Sequence, residues 1–71
     1  MKAFGIIKSY NGRFGIIVSD IGIVDFAKED ISFEQELLIG DVVEFRVEQR
    51  FPNIKLARNI LLVKLNSEDT N

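Results

Sequence analysis

Two cations and two aromatic rings gather around one tight-turn signal, with Lys8 and Tyr10 before Asn11-Gly12 and Arg13 and Phe14 after it. Flat rings stack on nucleobases and cations hold the phosphates between them, so this grouping suits a single-stranded nucleic acid. The same residues have a plainer reading, in which Tyr10 and Phe14 form a cross-strand aromatic pair that stabilises a hairpin. Lys28 either serves the same strip of surface or is a solvated charge. Phe51, next to Arg50, either meets a base at the edge of the site or folds back onto its own domain.

Catalytic chemistry has little to work with. The chain has no histidine and no cysteine, and no glycine-rich loop followed by Lys and Ser or Thr to cradle a phosphate. Asp25, Glu29 and Asp30 could be drawn together as a metal cluster, yet on a strand end and a helical turn they read as capping and solvated groups. The expectation is a non-catalytic binding module with no metal and no cofactor.

The supporting elements read as strands. Val43, Phe45 and Val47 alternate with Glu44, Arg46 and Glu48, which gives one buried face and one charged face. Ala3 to Tyr10 predicts a first strand and Phe14 to Ser19 a second, paired through a two-residue turn at Asn11-Gly12, where both residues tolerate positive φ. A turn at Asp20-Ile21-Gly22 leads into a third strand, Ile23 to Ala27. Lys28 to Ile31 suits one helical turn, Ser32 to Ile39 an irregular connection, and Gly40-Asp41 opens the fourth strand. Pro52-Asn53 makes the turn into a fifth, where proline costs no ladder hydrogen bond. In the third strand Val24 and Phe26 are placed inward and Asp25 in water. A slip of one residue would instead bring Phe26 onto the outer face.

At 71 residues and 46% hydrophobic content, this is enough chain for one small core. Residues 1–66 are expected to form the domain and residues 67–71 a polar, frayed tail. Five short strands with almost no helix predict a small, all-β antiparallel barrel, because closure removes exposed edges. The predicted core is Ile7, Ile17, Val24, Phe26, Val43, Phe45, Val47 and Ile60. No stretch has the length of a membrane span, and the lack of cysteine makes the cytoplasm the expected compartment. Nine Lys and Arg against eleven Asp and Glu leave a net charge of −2. Any nucleic-acid binding therefore has to come from a local patch rather than from the overall field.

Four segments in order, Gly5-Ile6-Ile7-Lys8-Ser9-Tyr10-Asn11, Phe14-Gly15-Ile16-Ile17, Gly40-Asp41-Val42-Val43-Glu44-Phe45 and Ala57-Arg58-Asn59-Ile60, resemble the bacterial cold-shock domain from about Phe4 to about Val63. The resemblance implies an OB-fold barrel that binds single-stranded RNA or DNA by stacking bases on outward aromatics. Matched position by position, the family's first-strand Lys-Trp-Phe falls on Lys8, Ser9 and Tyr10. Its second-strand aromatics fall on Phe14 and Ile16, with the preceding Lys-Gly on Gly12-Arg13. In the third strand its Phe, His and Phe fall on Asp25, Ala27 and Lys28. Tyr10 and Phe14 are the two aromatics of seven that remain, and a carboxylate at Asp25 repels a phosphodiester chain. The resemblance thus implies a weakened binding face. Phe33, in the long connection, is read as a core plug rather than a further stacking ring. The rival reading is a protein-interaction module on the same barrel, favoured by an exposed Ile16 beside Asp25 and Ala27.

Overall fold

A strand whose apolar residues recur at every second position has one dry face and one wet one. The computed structural model, which describes residues 1–50 and 52–63, builds five such strands. They are β1 (Lys2–Tyr10), β2 (Phe14–Ser19), β3 (Gly22–Ala27), β4 (Val42–Arg50) and β5 (Ile54–Leu62), with a single 3-10 turn at Lys28–Asp30. They close into an all-β, OB-fold-like barrel in the order β1-β2-β3-β5-β4.

The expectation of an antiparallel barrel is corrected at one seam. Around a closed ring of five strands, directions cannot alternate at every neighbour, so at least one pair has to run parallel. That pair is β3 and β5, in register at Asp25 and Leu56. The other four pairings are antiparallel. Ile31 extends the seam by bridging Ile60 in parallel, and the Ser32 N–H donates to the Ile60 carbonyl at 2.8 Å.

Seven of the eight expected core residues, Ile7, Ile17, Val24, Phe26, Val43, Phe45 and Ile60, are buried. Val47 is half-buried against them, and Leu37 drops in from the irregular connection. Ala3 and Ala57 complete the interior. Val24 and Phe26 face inward and Asp25 faces water, so the third strand takes the preferred register.

Two bulges break the two-residue period. In β5 the inward residues Ala57 and Ile60 lie three apart, because the pairing shifts between Glu44–Leu61 and Arg46–Arg58. Asn59 absorbs the extra residue at φ +53°, a left-handed conformation that asparagine tolerates better than most residues. The bulge in β1, which shapes the candidate site, is described below.

A chain of ionic hydrogen bonds ties the 3-10 turn to β4 and β5. Asp30, whose side chain is 10% exposed, accepts the Ala27 N–H at 3.0 Å and Arg58 Nη1 at 2.8 Å. Arg58 Nε in turn donates to Glu48 at 2.7 Å, and Arg50 Nε donates to the same carboxylate at 2.8 Å. The bonds from Arg50 and then Arg58 hold the Glu48 carboxyl below its ordinary value of 4.5, while Asp30 and then Glu48 push the Arg58 guanidinium up.

Asp30→Ala leaves the Ala27 N–H and the Nη1 of Arg58 without a partner, Arg58 keeping Glu48 alone, and is expected to cost about 1–3 kcal/mol, read as a lower urea midpoint at unchanged m-value. Glu48 acts with a definite sign. Its folded-state pKa is depressed, so its contribution is present above the ordinary carboxylate value and is lost as pH falls through the folded one. Glu48→Gln should therefore remove part of the acid-induced loss of stability. Because the pair lies at the surface, raised salt should shrink the difference between the two proteins.

Candidate nucleic-acid interface

Along β1 the inward residues are Ala3, Gly5 and Ile7, every second one. The pairing with β2 then shifts. Ile7 opposes Ile17, but Ser9 opposes Ile16, so β1 spends one residue more than its partner. An inserted residue exchanges the two faces of a strand. Lys8 and Ser9 consequently both lie in water, and Tyr10 returns to the inner side, half-buried.

There Tyr10 opposes Gly15, which in turn opposes Phe26. Glycine has no side chain to keep the flanking rings apart, and they meet over it with centroids 5.5 Å apart and planes inclined by 25°. The expected pairing of Tyr10 with Phe14 is thus corrected. The bulge sends the two rings to opposite faces, and Phe26 occupies one face of the tyrosine.

Phe14 stays outside. It opposes Ala27 on β3 and is 61% exposed. The loop before it differs from the two-residue turn expected at Asn11-Gly12. Gly12 alone takes positive φ, at +95°, and the Asn11 N–H donates to the Phe14 carbonyl at 3.1 Å. The Asn11 side-chain oxygen accepts the backbone N–H groups of Arg13 and Phe14, both at 2.9 Å. That local bond competes with the turn geometry the dipeptide favours elsewhere and moves the turn's centre on by one residue.

The Lys28 N–H donates to the Arg13 carbonyl at 2.8 Å, stitching the 3-10 turn to the hairpin. As a result Arg13, Phe14, Lys28 and Glu29 line one depression. Beside it, Ser9, Phe14, Ile16 and Asp25 line a shallow recess of about 410 Å³ floored by Gly15 and Phe26. On the other side, Tyr10, Lys28, Ile31 and Phe33 line a groove of about 510 Å³ edged by Glu34 and Glu36. Phe33 also packs against the core, as the plug it was expected to be. Phe14 and Lys28 each belong to two of these three hollows, so the hollows form one continuous furrowed surface.

Among the described residues the side chains of Lys8, Arg13 and Lys28 make no ion pair, whereas Lys2, Arg50 and Arg58 do. Lys8 is exposed on the bulge but lines none of the three hollows. Phe51 lies outside the described residues, as does the tail at residues 67–71. The carboxylates are dispersed. Asp25 and Glu29 face water, Asp30 is engaged by Ala27 and Arg58, and no group able to hold a metal ion is found among the described residues. Nor, among them, is any helix long and apolar enough to cross a membrane.

Ser9, Gly15 and Ile16 belong to the surface although residue chemistry alone did not select them as contacts. The sequence carries one signal for Gly15, a glycine set between outward-facing large residues, but none for the bulge at Lys8. A Cβ at Gly15 would run into the Phe26 ring and come within 2.6 Å of the Ser9 carbonyl oxygen. Gly15→Ala is accordingly expected to destabilise the barrel by about 1–3 kcal/mol through overpacking, measured by thermal or urea unfolding. It should also disturb the near-ultraviolet signal of Tyr10, the chain's one tyrosine. Compared with known proteins, the chain matches no family model and no curated protein.

Proposed function

We propose that this chain is a non-catalytic, cytoplasmic binder of single-stranded RNA or DNA of the cold-shock type, with a reduced stacking face. The observation that carries the reading is the Phe14 ring, held in water at the hairpin end with Arg13 and Lys28 on the same depression. A ring so placed offers a π-face to a base while cations that make no ion pair among the described residues line the same depression. The architecture supports this reading. OB-fold barrels present their β2–β3 face and the β1–β2 loop to oligonucleotides, and here those elements carry Phe14, Ile16 and Arg13.

The binding is weak for identifiable reasons. One exposed ring supplies about 1–3 kcal/mol of stacking, Tyr10 is partly spent on Phe26, and Asp25 stands beside Ile16 on the path of the backbone. The two cations of the depression, Arg13 and Lys28, imply a log–log salt slope of roughly −1.4 for a single strand. A protein partner is the second reading, favoured by the aliphatic side chains that the barrel leaves in water beyond Ile16.

Fluorescence anisotropy with a labelled single strand tests the proposal. Phe14→Ala should weaken binding by roughly five- to more than a hundredfold, the equivalent of one stack. Asp25→Phe, which removes a carboxylate and adds a ring, should strengthen binding over the same range. Arg13→Ala should reduce the salt slope by about 0.7, and duplex DNA should bind less well than the single strand. Absence of binding to any single strand at low salt, in a folded protein, would give this face to a protein partner.

A further inference from the structure

Beyond the hairpin end, the outer face of the barrel carries a second feature that nucleic-acid binding does not use. Ile23, Val18, Ile6 and Val42 are successive cross-strand neighbours on β3, β2, β1 and β4. All point outward, and the first three are 68%, 44% and 50% exposed. Phe4 and Leu61, also largely exposed, lie in the next row on either side of Glu44. Glu44 is neutralised by Lys2 at 2.9 Å. A shallow trough between Phe4, Ile6, Val18 and Val42, edged by Ser19 and Asp20, completes the surface.

We propose that this face is a self-association surface, on which a second copy of the chain packs sheet against sheet. The exposed parts of these side chains make a patch on the order of 500 Å², near the top of the roughly 300–600 Å² that a monomer's largest apolar patch reaches. Two copies face to face remove about 1,000 Å² from water before the rim is counted, which brings the pair to the edge of the roughly 1,200–2,000 Å² of specific interfaces.

The chemistry favours an identical partner. β-branched aliphatics on a pleated surface are what the inner layers of a β-sandwich present to each other. A two-fold interface requires a patch that complements itself, as an uncharged aliphatic row does. A net charge of −2 opposes the approach of two copies only weakly. A domain this small also gains stability by burying surface against another subunit.

Sedimentation equilibrium of the full chain over a wide concentration range tests the proposal. The expected result is a rise from 8.1 kDa to twice that mass. Ile23→Lys and Ile6→Lys, each checked for native circular dichroism, should hold the monomer mass throughout. Ile54→Lys, an equally apolar change at the β4–β5 tip, should associate as the wild type does. In the unmodified protein, raising the concentration should shift the amide resonances of Ile6, Val18, Ile23 and Val42 and leave those of Arg13 and Phe14 in place. A wild-type protein that stays at the monomer mass up to millimolar concentration would assign the face to a different partner and overturn the proposal. A doubled mass that survives both lysine substitutions would overturn it as well.

Discussion

The single extra residue in β1 governs what the hairpin end of this barrel can do. Side chains on a strand alternate, so the shift between Ile7 and Ser9 decides that Lys8 and Ser9 meet water and that Tyr10 does not. Tyr10 then needs somewhere to lie, and Gly15 provides it by leaving open the space over which the tyrosine stacks on Phe26. With that aromatic cap in place, β2 presents Phe14 and Ile16 outward. The Arg13–Lys28 backbone bond brings both cations to the same rim. Removing the bulge would move Tyr10 out and Ser9 in, and would leave Phe26 uncovered at the barrel's mouth.

The period-two pattern of β4, the burial of Val24 and Phe26, the helical turn and the barrel itself follow from local chemistry that a single sequence carries. Apart from the first hairpin turn, the departures arise where pairing partners, and not local preferences, set the geometry. Asn11-Gly12 signals a turn correctly but not its centre, since the asparagine side chain bonds forward to Arg13 and Phe14. The parallel contact of β3 with β5 is a matter of ring parity and has no residue signature. In β5 Ile60 takes the core place expected of it, but the bulge at Asn59 that sets it three residues after Ala57 breaks the strand's alternation. In the candidate site the same holds for Tyr10, whose type suggests an exposed stacking ring while the register of β1 turns it toward Phe26.

The outer surface is divided by chemistry. At the hairpin end, one ring and two unpaired cations stand among dispersed carboxylates, an arrangement suited to brief, salt-sensitive contacts with a flexible polyanion. Across the middle of the same sheet, the row from Ile23 to Val42 is aliphatic and suits a dry contact with another protein surface. The two regions share β2, where Phe14, Ile16 and Val18 succeed one another on the outer face. Two copies joined through the aliphatic row would carry two weak sites on one particle, and linked weak sites bind a long strand more tightly than either does alone.

The division itself can be mapped directly. Isotope-labelled protein, kept dilute and titrated with a short single-stranded oligonucleotide, reports the contact surface residue by residue through its amide resonances. The account predicts that the largest shifts fall on Ser9, Arg13, Phe14 and Lys28, and that Ile6 and Ile23 stay in place. Shifts concentrated on the aliphatic row, or an unchanged spectrum at saturating oligonucleotide, would contradict it.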